Sequence, residues 1–551
     1  MNISLHQILY RRNIIPYLIL AFVIILLYSK TFFFGFSPLD DKILIIDNIN
    51  WLSSIKNIPA TFSLEFLPGL YRPILIITFL LDTFIGNGNP LYYHISNVLL
   101  HIITAFLLYL LFSNILKNNV INIFACLIFA VHPIVIHAVA WIPGRNDILL
   151  AIFLLASTIS LLNHLKLNKM QSLLQHFVWF TVALFTKEIS IVYPFIVIII
   201  INKVYKSKSK AVKFIIPHLI LISLWIVIRI SMSSLSIPGS NNNFLNSIFL
   251  TSNHFYISIS KMIFPISQSI IPYNTNVDLK YLALFLVFII ALIIFRKKIT
   301  IDILPWALWV ALFLIPTIIW SVFGIGDNVF YEHRLYTSTI GIIILFALFI
   351  DSCNPHQLKY VKYMYILLFI YFTHSTWFRI DHYSSPDIFS STAVKESPIC
   401  YKSYVIKGSY LYGIMEYDRA LTDFLTVELL NPKLYKVLNR IGTIYQNFGE
   451  LNQAMNYYNK ALDIKPDFDE ALYNMGNLYL TQKKYGLAND LYLKCLATNK
   501  EFIPAYNNLA LANYYQGNYT KALYHLKNII ISGGFYNLDF YYTLISKDYN
   551  Q

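Results

Sequence analysis

The chain has 551 residues, of which 57% are hydrophobic and only 13% charged, with a mean hydropathy of +0.56. A soluble domain is about half apolar and about a quarter charged, so these proportions exclude a wholly soluble protein and place much of the chain in a bilayer. The formal charge of +14 would suggest nucleic acid in a soluble protein, but basic loops flanking membrane helices are its simpler source, and no nucleic-acid partner is expected.

Arg11 and Arg12 precede the run IIPYLILAFVIILLYSKTFFFGF, which is too long for a signal-peptide core and lacks a small-x-small cleavage site. It reads as a first membrane span. A span needs ~20 apolar residues, and about eleven candidates follow the chain: 14–34, 95–115, 121–140, 147–164, 173–186, 188–202, 213–232, 281–296, 303–323, 337–351 and 361–378. The segment 246–272, with Lys261 and two prolines, reads as interfacial or re-entrant. The expected fold is all-α, with a polytopic membrane domain over 1–380, a linker over 381–400 and a helical solenoid over 401–551.

Basic clusters fall on alternate loops: Arg11/Arg12, Lys117, Lys166/Lys169, NKVYKSKSKAVK at 202–213, FRKK at 295–298 and KYVK at 359–362. The Lys/Arg bias makes these loops, and the N-terminus, cytoplasmic. The opposite loops carry Asp40/Asp41, PGRND at 143–147, TKE at 186–188 and GDNVFYEHR at 326–334. An odd number of spans then sets the C-terminal solenoid outside the cytoplasm, whether that space is periplasm or endoplasmic-reticulum lumen. Acids at such a boundary are costly enough to suggest function.

From Tyr401 the sequence repeats every 34 residues, as in YKVLNRIGTIYQNFGELNQAMNYYNKALDIKPDF (435–468) and the following DEALYNMGNLYLTQKKYGLANDLYLKCLATNKEF (469–502). Gly408, Gly442 and Gly476 are in phase, as are Ala420, Ala454, Ala488 and Ala522, while Pro432 and Pro466 close their units. This is the tetratricopeptide pattern. Four units run to about 534 and NLDFYYTLISKDYNQ caps them. A solenoid of this kind presents a concave face that suits a protein or peptide partner. The four cysteines form no CxxC pair, so neither a zinc site nor a redox dithiol is legible, and Cys126 reads as packing.

The outward motifs form a series: DDKILIIDN (40–48), YRPILIITFLLD (71–82), PLYYHISNVLLH (90–101), FAVHPIVIHAVAWIPGRNDILLA (129–151), TKEISIVYP (186–194) and YEHRLYTSTIG (331–341). With the attached repeats, the series resembles the transmembrane and tetratricopeptide-repeat O-mannosyltransferases and their bacterial relatives, within the glycosyltransferase C superfamily. The segment 233–280 matches none of its motifs, and the repeat array is short for that family. The resemblance implies a multi-pass inverting transferase that moves a sugar, mannose or another hexose, from a polyprenyl-phosphate carrier to serine or threonine hydroxyls of proteins. No cofactor beyond that lipid-linked donor is implied, and an acid in the first outer loop is the expected base.

The chemistry agrees, because a hydroxyl attacks well only when a placed carboxylate takes its proton. Asp41, with Asp40 as its alternative, is the candidate base. Phosphate calls for arginine and lysine, and the outer candidates for donor or substrate contact are Arg334, Arg145, Arg72 and Lys187, with His132, His94, Glu332 and Asp147. Structural readings stand beside these. The acids could mark a solvated helix end; Arg334–Glu332 and Arg145–Asp147 could be ion pairs; His132-Pro133 could be a kink; Lys187-Glu188 could be a cap. Three other functions compete: a glycosyltransferase acting on glycans or lipids, a transporter and a non-catalytic scaffold for the repeats. No internal symmetry supports the transporter, and eleven spans exceed what an anchor needs. The lack of GxxxxGK[ST] suits a lipid-linked donor over a nucleotide sugar.

Overall fold

A computed structural model describes residues 14–66, 70–205, 208–232, 244–266, 268–271, 278–294, 303–322, 332–353, 355–531 and 538–549. Arg11/Arg12 and the FRKK run at 295–298 lie outside them, as do parts of the 202–213, 233–280 and 326–334 segments. The chain divides into two compact units, Met1–Ser397 and Pro398–Gln551.

The first unit is a helical membrane region, but about eleven spans is not what it contains. Among the described residues six helices are long and apolar enough to cross a bilayer: Ile15–Phe33, Pro90–Ile115, Ile142–Leu167, Glu188–Tyr205, Val212–Met232 and Glu332–Asp351. A seventh is obtained only by joining Asn119–Ala130 to Pro133–Ala140 across a 47° bend. The sequence count overshot because hydropathy registers apolar runs without their helical length. The 173–186 run folds as the 15-residue helix Met170–Leu184, about 22 Å at 1.5 Å per residue. The runs at 281–296 and 303–323 lie in the helices Leu279–Ile294 and Leu304–Val322, neither of which is among the six. Pro133 breaks 121–140, since it has no N–H for the preceding turn. The 361–378 run lies in the helix Pro355–Ile380, which is not among the six. The parity argument for the side of the repeats falls with the count.

Three helices frame the site. Pro73–Gly86 ends at Asn87 in the left-handed conformation (φ 48°), and Pro90–Ile115 begins at Asn89, whose side chain accepts the Leu91 N–H at 3.0 Å. Arg145–Leu167 follows the tight turn Ile142–Gly144. A Cβ at Gly144 would stand 2.7 Å from the His137 carbonyl oxygen, so only glycine lets this turn pack on the preceding helix. Phe79, Leu80, Tyr93, Ile142 and Leu149 form the core between these helices, with Leu44 and Ile45 of the segment that follows the first span.

The second unit stacks helix pairs: Tyr401–Gly413 with Tyr417–Leu430, Tyr435–Asn447 with Leu451–Ile464, Asp469–Thr481 with Tyr485–Thr498, and Ile503–Tyr515 with Tyr519–Ile531. Leu538–Tyr549 follows. The phased alanines are fully buried. At Gly442 and Gly476 an added Cβ would stand 2.6 Å from the rings of Tyr458 and Tyr492, which explains the small residue at that phase.

Candidate active site

Beyond the first span the chain runs into the four-residue helix Asp41–Leu44, with Asp40 at its N-cap. Asp41 is 1% exposed. Its Oδ2 accepts the Ser37 backbone N–H at 2.7 Å, and its Oδ1 accepts Trp141 Nε1–H at 3.0 Å. Burial pushes its carboxyl up to about 7, against the bonds from Ser37 and Trp141, while the Asp40 charge adds to the rise. Asp40 is exposed and lines a cavity of about 40 Å³ together with Arg72, Trp141, Pro143 and Asn146. Desolvation raises the Asp40 carboxyl, and the Arg72 guanidinium opposes that rise. Of the two acids, only Asp40 lines the cavity; Asp41 sits beneath it.

The cations converge from distant segments. Arg72 grips Glu188 with both ends of its fork, Nη2 to Oε1 at 2.7 Å and Nε to Oε2 at 3.2 Å. Lys187 donates to Asp147 at 2.6 Å and to Asn146 Oδ1 at 3.4 Å, with lysine and aspartate both buried. Burial lowers the Lys187 ammonium, and the charges of Arg72 and Arg334 push the same way against Asp147. Half-buried Arg334, on the turn Glu332–Leu335, is close enough for its charge to act on Lys187.

The other predicted residues hold the frame. Arg145 is fully buried: Nη1 pairs with Asp82 at 2.6 Å, Nε donates to Asn97 Oδ1 at 2.6 Å, and Nη2 donates to the Tyr93 carbonyl at 2.8 Å. Arg145 and Asp147 thus take separate partners, as residues two apart on a helix must, because they do not face each other. Glu332 accepts Lys261 Nζ at 2.6 Å and the Ser269 N–H at 3.1 Å. His132 accepts the Ile134 N–H through Nδ1, and its Nε2 lies 3.1 Å from the Met262 carbonyl, to which it donates. His94 Nε2 lies 3.4 Å from the Gly35 carbonyl.

Sequence reasoning missed Trp141, Asn146, Glu188 as the Arg72 partner, and the Asp82–Asn97 seat of Arg145. Asp82 and Asn97 carried a usable signal, since a lone polar residue inside an apolar run demands a partner. Trp141 carried none: an aromatic at a membrane interface is ordinary. His137 was also passed over. It is buried, both its ring nitrogens have no hydrogen-bond partner among the described residues, and its ring lies 5.2 Å from Trp141 and 5.0 Å from His333.

This is a polytopic helical membrane protein with a helical-repeat unit and a small, mostly apolar cavity into whose lining Asp40 and Arg72 enter. Residues 75–232 match the family model for dolichyl-phosphate-mannose-protein mannosyltransferase, and residues 442–483 and 469–502 match tetratricopeptide-repeat models. Protein O-mannosyl-transferase TMTC1 of Homo sapiens is 40% identical over 91 residues, which is 16% of this chain and 10% of that protein. Protein O-mannosyl-transferase Tmtc1 of Drosophila melanogaster is 32% identical over 123 residues, 22% of this chain and 14% of its own. Mouse TMTC2, of the same description, is 38% identical over 94 residues, 17% and 11%. The chain is thus a distant relative of these proteins, similar over a segment that spans only about a tenth of their length. The crystal structure of MamA protein aligns at 18% identity with a TM-score of 0.25, over 27% of this chain and 80% of its own.

Proposed function

We propose that this chain is an inverting glycosyltransferase of the glycosyltransferase C type. In this reading it moves a hexose from a polyprenyl-phosphate carrier to a serine or threonine hydroxyl of a protein, on the extracytoplasmic face. The observation that carries the reading is the cavity that Asp40 and Arg72 line together with Trp141, Pro143 and Asn146, the last three of which belong to the region similar to mannosyltransferases.

In the proposed reaction the acceptor oxygen attacks the anomeric carbon from the side opposite the phosphate. The new C–O bond forms as the sugar–phosphate bond breaks, the hydroxyl proton passes to Asp40, and the polyprenyl phosphate leaves as an anion. Arg72 and Arg334 meet the developing charge, and Lys187 adds to the field. In this reading Asp40 rather than Asp41 is the base, because a base must reach the proton it takes and Asp40 lines the cavity. The cavity as it stands holds only a few waters, so a sugar enters in this reading only as the cavity widens. The repeats, placed on the same side of the membrane in this reading, present the acceptor.

The test is transfer by protein reconstituted in lipid, supplied with polyprenyl-phosphate-linked hexoses and a pool of serine- and threonine-containing peptides. A hexose mass gain on peptides is expected. A folded protein that adds hexose to no peptide from any such donor contradicts the reading.

A further inference from the structure

We propose that Trp141 is a positioning residue for the outer-loop acids: its indole N–H holds Asp41 beneath the cavity and thereby sets the Asp40 carboxylate on the cavity wall. The inference rests on the reading of Asp40 as base, and it gives a role to a residue and a bond which that reading does not use.

Asp40 stands at the N-cap position, without a side-chain cap bond, of a helix of only four residues, far too short to be stable alone. Two polar bonds fix its first turn, and both end on Asp41. The Ser37 N–H bond is local to the loop. The Trp141 bond reaches across 100 residues of sequence and ties the loop to the junction between Ile136–Ala140 and Ile142–Gly144. That junction is closely packed: Gly144 sits against the His137 backbone, and the Trp141 ring lies 5.2 Å from His137 and 5.0 Å from His333. Trp141 also lines the cavity beside Asp40, so the side chain that anchors the acids is part of the wall on which they act.

An indole nitrogen only donates. Its bond to Asp41 is therefore strongest when the carboxylate is charged and weakens when the oxygen takes a proton. The charged and titratable groups around Asp41 are Asp40 beside it, Arg72 acting on Asp40, the Lys42–Asp47 pair at 2.7 Å on the same loop, and His137 and His333 against the Trp141 ring. Among the described residues the side-chain oxygens of Asp41 take their bonds from Ser37 and Trp141, not from these groups. Protonation of Asp41 then loosens the clamp, and Asp40 loses its bearing on the acid side.

Trp141→Phe removes the donor and keeps an aromatic ring. The transfer rate should fall about five-fold on the alkaline plateau, where the wild-type bond meets a charged carboxylate, and by less on the acid side, where protonation of Asp41 has already loosened it. Loss by one factor at every pH would mean a merely structural role and overturns the proposal. If Trp141→Phe does not fold, the benzothiophene analogue of tryptophan keeps the bicyclic shape and deletes only the N–H. A second readout needs no turnover: the infrared band of the protonated carboxyl that disappears in Asp41→Asn should titrate at higher pH in Trp141→Phe. An unchanged midpoint overturns the proposal. Full activity in Asp40→Asn would instead sink the base assignment, and the infrared midpoint would still report on the Trp141–Asp41 bond.

Discussion

At the scale of single residues, two neighbouring aspartates with the same side chain occupy opposite environments, and their substitutions should separate accordingly. Asp40→Asn removes the proposed proton acceptor from the cavity wall, so the transfer rate should fall by about 10²- to 10⁴-fold with little change in thermal stability; a rate near wild type contradicts the assignment. Asp41→Asn should act on stability. The Asp41 carboxyl is raised in the fold to about 7, so between its unfolded value and that point the native state holds a proton which the unfolded chain has lost. Stability from this group therefore falls as pH rises toward 7 and is flat above it. Wild type should lose stability relative to Asp41→Asn over that interval, by a few kcal/mol at most, as read by thermal unfolding at stepped pH. Asp147→Ala should be costly for a different reason: it strands the buried Lys187 ammonium, with an expected loss of about 3–5 kcal/mol.

At the scale of elements, the packing of the three framing helices runs through one guanidinium. Arg145, at the start of its helix, holds Asp82 of the first and Asn97 and the Tyr93 carbonyl of the second. Lysine at 145 has one charged head in place of a planar fork, so Arg145→Lys should lower the melting temperature and speed amide exchange in the Pro73–Gly86 and Pro90–Ile115 helices together. Loss confined to one helix would contradict this shared seat. The helix pairs of the repeats were legible in the sequence because their rule is local: a small residue where Tyr458 or Tyr492 crosses the neighbouring helix, an alanine opposite, proline beyond the helix end. The membrane helices were legible as apolar runs, but their number was not. Length in three dimensions decides a span, and the breaks at Pro133 and the short Met170–Leu184 helix do not change composition.

At the scale of the whole molecule, the acids and several cations of the site could be read from the sequence as a set because charges are scarce there. Their partners could not. The bonds Arg72–Glu188, Lys187–Asp147, Lys261–Glu332 and Trp141–Asp41 join residues 40 to 116 positions apart, and no local pattern predicts such pairings. The two compact units each have their own core, so a chain ended after Ser397 should keep the membrane unit folded. In the proposed function that truncated chain should still transfer to short peptides at high concentration, and its apparent KM for a protein acceptor should rise. An unchanged KM would remove the repeats from acceptor binding.

The most direct test of the central claim is a paired assay of lipid-reconstituted wild type and Asp40→Asn with a labelled polyprenyl-phosphate-linked hexose and the same peptide acceptor. The account predicts labelled peptide from wild type and a loss of at least about a hundred-fold in the variant, with both proteins equally folded. Equal labelling by the two, or none by either with any hexose donor, would contradict it.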